Sequence, residues 1–168
     1  MIVAALDAGL GVSSNTGLVA FDTESKDILS DEELTTNFSD TDKKIAFFGN
    51  AFEEWLNIVG HVDLFCYETF VMQGKGGQSL QKLIGGYISR IPYETPVRAV
   101  QNTTVKKRIS GKGTADKVEV SAGVLSWFYE NEESRKKILQ MIEEEAWDRL
   151  DALAIGVVGY ELEFLNDG

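Results

Sequence analysis

The chain opens Met1-Ile2-Val3-Ala4-Ala5-Leu6-Asp7-Ala8-Gly9, five consecutive apolar residues from Ile2 to Leu6 running into an acid and a nearby glycine. A short unbroken apolar run bounded by glycine reads as a buried central strand. Asp7 closes it. A carboxylate beside a sheet core is costly unless something pairs with it. One reading is a metal ion shared with acids from later in the chain. The other is an Asp that caps a turn.

A second strand-like run, Thr16-Gly17-Leu18-Val19-Ala20-Phe21-Asp22, follows within a few turn residues. The Gly9-x-Gly11 pair therefore belongs to a hairpin and not to a nucleotide-binding turn, which must open a helix. Residues 23–40 are acidic and polar, with a third strand expected near Leu34 to Phe38. Asp40 is placed to cap a helix running to about Val59, with Ile45, Phe48, Phe52, Trp55, Leu56 and Val59 on its apolar face. Val62 to Glu68 is a further strand, and it too ends in an acid.

Residues 72–78 form a Gly-rich loop without P-loop spacing. A helix follows, carrying Leu80, Leu83, Ile84, Tyr87, Ile88 and Ile91 on one stripe. Gly85 and Gly86 lie inside it, each costing ~1 kcal/mol relative to Ala, so another backbone is expected close by, from the chain's own sheet or a second subunit. Val97 to Val100 is a short strand. A basic helix capped by Thr103 or Thr104 runs through Arg108, and Thr114 caps the next, whose apolar face is Val118, Ala122, Leu125 and Phe128 or Tyr129. Lys117 falls in the first turn of that helix, where a cation is unfavourable unless an anion sits there. It reads as a phosphate contact or as a plain surface lysine.

Glu132 to Glu145 is a charged helix with Ile138, Met141 and Ile142 facing inward. The last helix spans about Trp147 to Glu161, with Leu150, Leu153, Ala154, Val157 and Val158 as its buried stripe. Asp148 and Asp151, spaced i, i+3, share one edge of it. Such a pair repels itself unless a cation lies between; the helix dipole alone also favours acids there.

Charge is unevenly spread. Residues 74–117 hold nine basic residues against two acids, a net +7, leaving −18 on the remainder of a chain whose total is −11. The total argues against indiscriminate nucleic-acid binding, while a basic third on an acidic body suggests one polyanion-binding face. The single Cys66 and single His61 exclude an internal disulfide and a Cys/His zinc cluster. The sequence shows neither a signal peptide nor the ~18-residue apolar run of a membrane helix. One domain over residues 1–168, in the cytoplasm and off the membrane, is the expectation.

Four blocks, in order, carry a resemblance: Leu6-Asp7-Ala8-Gly9; Glu68-Thr69-Phe70-Val71-Met72; Gly111-Lys112-Gly113-Thr114-Ala115-Asp116-Lys117; and Asp148-Arg149-Leu150-Asp151-Ala152-Leu153-Ala154. Together, over residues 1 to about 160, they resemble the RuvC family of Holliday junction resolvases, within the ribonuclease H-like superfamily. The resemblance implies an α/β fold with a central mixed five-stranded sheet flanked by helices. It implies a structure-selective endodeoxyribonuclease that resolves four-way and branched DNA by paired phosphodiester hydrolysis. It assigns Asp7, Glu68, Asp148 and Asp151 as catalytic ligands of two Mg²⁺ ions, with Mn²⁺ as the alternative, and Lys117 as the lysine near the cut phosphate. Hard divalent cations take such oxygen ligands, and an ion pair suits in-line displacement at phosphorus.

DNA contacts fall on Lys75, Lys106, Lys107, Arg108, Lys112, Lys117 and Phe70, and a homodimer is implied, without a nucleotide cofactor. Some features depart from the family pattern. The aromatic after the glutamate comes one residue early, at Phe70 instead of Val71, Lys75 is shifted, and residues 131–146 look inserted. The departures and the acidity hint at a phage or viral branch. Other targets stay open: flaps, forks or RNA–DNA hybrids, or branched-DNA binding without catalysis. An actin-like nucleotide-binding domain would need a second Gly-rich phosphate loop and a much longer chain.

Overall fold

The computed structural model describes residues 1–10, 15–69 and 74–165, with the side chains of 74–76 left aside. Phe70, Val71 and Met72, and the side chain of Lys75, therefore lie outside the described residues. The opening apolar run is strand β1 (Ile2–Asp7), and it is central as its sequence requires. β2 (Thr16–Asp22) returns antiparallel beside it, followed by β3 (Ile28–Leu34) at one edge. On the other side β4 (Leu64–Thr69) and β5 (Val97–Gln101) run parallel to β1, giving the order β3-β2-β1-β4-β5. The mixed five-stranded α/β sheet expected from the sequence is the one found.

Alternation along β1 splits the core into two layers. Ala4 and Leu6, with Leu18, Ala20 and Phe65, face α1 (Thr41–Val59) and α2 (Gly74–Ile88). Val3 and Ala5, with Val19, Phe21, Leu64 and Cys66, face the second layer. That layer comprises α3 (Asn102–Ser110), α4 (Lys117–Trp127), α5 (Glu132–Glu143) and α6 (Trp147–Phe164). α6 is its centre: Leu150 and every residue from Ala152 to Gly159 are buried. Among the described residues no helix is long and apolar enough to cross a membrane.

Several local expectations change. β3 begins at Ile28, well before Leu34, because Asp31, Glu32 and Glu33 lie on an edge strand whose acids mask its period. α2 begins at Gly74, inside the stretch read as loop. α3 starts directly from β5 with Gln101 in the cap position and no side-chain cap, so neither Thr103 nor Thr104 caps it. α4 is capped by Asp116 in a reciprocal box with Glu119, not by Thr114. Its buried face is Val120, Ser121 and Val124, leading on to the buried Phe128, while Val118 and Ala122 are exposed. Among the described residues no backbone comes close to Gly85 or Gly86. A Cβ at Gly85 would meet nothing within 4 Å, and one at Gly86 only side chains at 3.9 Å.

The close approach occurs on α6 instead. A Cβ on Gly159 would stand 2.3 Å from Cys66 Sγ, and one on Gly156 2.7 Å from the Phe21 ring. Gly159→Ala gains up to ~1 kcal/mol of helix propensity but overpacks the core by about 1–3 kcal/mol. The expected outcome is a net loss in urea unfolding. The double variant with Cys66→Ala should be more stable than Gly159→Ala alone.

Candidate active site

The strand pairing sets the first two acids side by side. Leu6 pairs with Tyr67 across the parallel β1–β4 ladder, so the next residues, Asp7 at the end of β1 and Glu68 one short of the end of β4, stand side by side at the same end of the sheet. By alternation both side chains share the face of Ala5 and Cys66, the face that α6 covers. Gly17 is the partner of Asp7 on β2, and Glu33 is the partner of Gly17 on β3. Directly opposed residues lie on one face, so Asp7, Gly17 and Glu33 form a row across three strands. Beyond Asp7 the Gly9 N–H reaches the buried Thr16 Oγ1 at 3.4 Å; Thr16 also accepts from the buried Tyr87 hydroxyl at 3.2 Å.

α6 lays its first turn over that row. A Cβ built on Gly17 would fall 2.1 Å from the Asp148 carbonyl oxygen and 2.7 Å from the Arg149 nitrogen. Glycine at 17 is what lets the helix begin against the sheet. Asp148 in the first turn and Asp151 one turn on then stand by the ends of β1 and β4, where the helix dipole favours negative charge.

The four acids act on one another electrically. Asp7 is pushed up to about 8, by burial first and then by the charges of Asp151, Glu68 and Asp148; Lys117 opposes the shift. Glu68 is raised by burial, held back by a hydrogen bond from Asn102 and raised further by Asp151. Asp148 is raised by burial and by Glu33, with Lys117 opposing. Asp151 is raised by burial and lowered in turn by Lys117 and Lys106. Lys117 Nζ lies 3.7 Å from Asp151 Oδ2 and over the Trp147 ring, 5.5 Å from its centroid. Lys117 thus belongs to the acid cluster, though it sits on a different helix.

Among the described residues no three His, Cys, Asp or Glu side chains are drawn close enough to hold an ion as they stand. The carboxylates are neighbours whose charges are felt, not a closed ligand set. The donors themselves are hard oxygens carried on two strands and a helix, a set that suits Mg²⁺ or Mn²⁺ and not a soft metal.

No protein-family model and no curated protein sequence matches this chain. Solved structures do. RuvC from Thermus thermophilus superposes with a TM-score of 0.72 at 20% identity, covering 99% of this chain and 98% of that one. The T. thermophilus RuvC in complex with a Holliday junction substrate gives 0.72 at 18% identity, covering 99% and 96%. The fold is that of RuvC. At this identity the likeness is one of architecture, and it extends over the whole length of both chains.

The residues that the RuvC resemblance nominated for DNA divide into groups. Lys106 lies close enough to Glu68 and Asp151 to affect both. Lys107 and Arg108, with Thr103, Thr104 and Gly113, line a depression on the outer side of α3. Lys112 is ion-paired to Glu119, which raises its pKa and lowers that of Glu119. Phe70 and the Lys75 side chain lie outside the described residues. Gly17, Glu33 and Asn102 went unmarked in the sequence. The first reads as a turn residue and the others as ordinary polar positions, and only strand register and helix packing bring them to the acids.

Proposed function

We propose that this chain is a metal-dependent, structure-selective endodeoxyribonuclease that resolves four-way and branched DNA junctions by paired phosphodiester hydrolysis. One observation carries the reading: on a RuvC fold, acids from two adjacent strands and a helix start act on one another's charge, with Lys117 opposing three of them and Lys106 of the basic helix α3 acting on Glu68 and Asp151. Asp7, Glu68, Asp148 and Asp151 would hold two Mg²⁺ ions, with Mn²⁺ as an alternative. When bound, such a pair supplies an activated water and neutralises the leaving oxygen.

The residues of the chain do the rest. The two strand ends fix Asp7 and Glu68, and the first turn of α6 fixes the other two acids. Lys117 is poised to shift from Asp151 to the phosphate, where it offsets charge that grows in the transition state. Lys106, Lys107, Arg108 and Lys112 follow the DNA backbone, and Lys75 and Phe70 are further candidates for contact. Two symmetric cuts need two symmetric sites, so the working form is a homodimer. The open surface over Gly85 on α2 supports that helix as the face offered to a second copy.

The test is a mobile four-way junction incubated with the protein, with and without Mg²⁺, and resolved on a gel. Nicked duplex products that require the ion are expected. Equal cutting of RNA–DNA hybrids would remove the junction preference. Tight junction binding with no product at any Mg²⁺ concentration would make the chain a binder. The α3 surface gives a second expectation. Lys107→Ala should weaken junction binding and reduce the magnitude of the log K against log salt slope by about 0.9 per lost phosphate contact. Lys112→Ala should weaken it less, because Glu119 already takes up that charge.

A further inference from the structure

Arg149 stands between the two acids of α6 in sequence, but its side chain is engaged elsewhere. Its Nη1 donates to Asp31 Oδ1 on β3 at 2.8 Å, and its Nη2 donates to Glu144 Oε2, at the end of α5, at 3.0 Å. Arg149 and Asp31 side chains are each only 19% exposed. One guanidinium thus ties the edge strand and the end of α5 to the first turn of α6.

The elements it joins are fixed in their own right. Ile28 of β3 donates its N–H to Ser134 Oγ at 2.8 Å, and its carbonyl accepts from Lys137 Nζ at 2.7 Å, both on α5. Asn131, the cap of α5, reaches Ser25 O and Asp27 in the β2–β3 turn. α5 joins α6 through Glu145, held at φ 55°, a conformation uncommon outside glycine, and the Ala146 N–H bonds back to Met141 O at 2.8 Å. The start of α6 lacks a side-chain cap at Ala146, though Ala146 and Leu150 are buried. Gly17 beneath the first turn and the Arg149 fork beside it add to what Leu150 and the Lys117–Asp151 pair contribute to its place.

We infer that Arg149 is a positioning residue: its fork to Asp31 and Glu144 fixes the first turn of α6, and so fixes where Asp148 and Asp151 stand relative to Asp7 and Glu68. The segment 131–146 then has a purpose, as the outer brace of the site. The inference rests on reading those acids as ion-binding. Arg presents two donors in a planar fork that Lys, a single point charge, cannot reproduce.

The experiment compares wild type with Arg149→Met, Arg149→Lys and Asp31→Asn in the full chain. It reads Mn²⁺ affinity by electron paramagnetic resonance without DNA, urea unfolding, junction binding in chelator, and kcat and KM for cleavage. Arg149→Met should weaken Mn²⁺ affinity and lower kcat by ten- to a hundred-fold, the range for groups that orient ligands, with KM within about two-fold. Arg149→Lys should recover part of the loss. A purely structural arginine would lower the unfolding midpoint and leave ion affinity alone. If Arg149→Met does not fold, Asp31→Asn, which takes the charge from one arm of the fork and keeps the arginine, carries the same expectation at smaller size.

Unchanged ion affinity and kcat in these variants overturn the inference. If wild type cuts junctions and Arg149→Met cuts equally well, the fork fails and the nuclease reading stands. If wild type binds Mn²⁺ and Arg149→Met weakens that binding while neither cuts DNA, the nuclease reading fails and the fork stands. Wild type that takes up no Mn²⁺ overturns both.

Discussion

Asp7→Asn is expected to abolish junction cleavage while making the ion-free protein more stable. The two effects have one cause. Burial and three neighbouring acids push the Asp7 carboxyl from the ordinary 3.8 up to about 8. Between those values the folded chain holds a proton that the unfolded chain has released, so stability falls as pH rises through this window. Above pH 8 both states are ionised and the loss is complete. At 1.36 kcal/mol per unit the shift corresponds to on the order of 5 kcal/mol at alkaline pH, before solvent and side-chain relaxation reduce it. Glu68, Asp148 and Asp151 are shifted in the same direction and add to the trend.

Asparagine keeps the shape of Asp7 and carries no charge at any pH. The variant's gain over wild type in urea unfolding should therefore grow from pH 5 to pH 8 and level off above. Cleavage should drop by more than the roughly hundred-fold seen when groups behind a ligand are lost, with junction binding retained because α3 is untouched. A variant that cuts at the wild-type rate, or one whose stability gain is the same at pH 5 and pH 9, would overturn the reading of Asp7 as the strained centre of the acids. Stability given up at a functional site is the general pattern.

What the sequence made legible follows from how local each signal is. Asp7 and Glu68 could be read because each ends an apolar strand, and parallel pairing then sets them side by side without further instruction. Asp148 and Asp151 could be read because helical spacing puts both on one edge. The Asp40 cap of α1 and the aromatic face it introduces are equally local. β3 starts earlier than its sequence suggests because an edge strand can carry Asp31, Glu32 and Glu33 in succession, so no alternation betrays it. On α4, Leu125 and Phe128 pack on the core as expected, while Val120 and Val124 take the buried places expected of Val118 and Ala122. Val118, Val120, Ala122, Val124 and Leu125 are apolar or small all round the helix, and the pattern fixes no phase until α3, α5 and α6 supply a core to face. Arg149 and Glu33 depend on contacts between residues more than a hundred positions apart, or on strand register, and no window along the chain contains them.

Gly17 is the furthest case of that kind, and its substitution carries the second large effect. Within the sequence it is a glycine at the start of a strand after a turn. In the fold it is the floor beneath the first turn of α6. The atoms a Cβ would strike are Asp148 O at 2.1 Å, Asp148 C at 2.3 Å and Arg149 N at 2.7 Å, all of them backbone. A flexible side chain could swing aside, as Arg90 could from a methyl on Gly49. A helix backbone cannot, so Gly17→Ala must lift the start of α6 or bend β2. Either displaces Asp148 from its place beside Asp7 by a large part of an ångström. Misplacement on that scale costs catalysis about a hundred-fold. The rest of α6 stays seated through Gly156 and Gly159, and α3 is unaffected. The expected variant is folded, with a lower unfolding midpoint, near-normal junction binding in chelator, and kcat down by about two orders of magnitude. Cleavage at the wild-type rate by Gly17→Ala would mean that the first turn of α6 does not set the geometry of the acids.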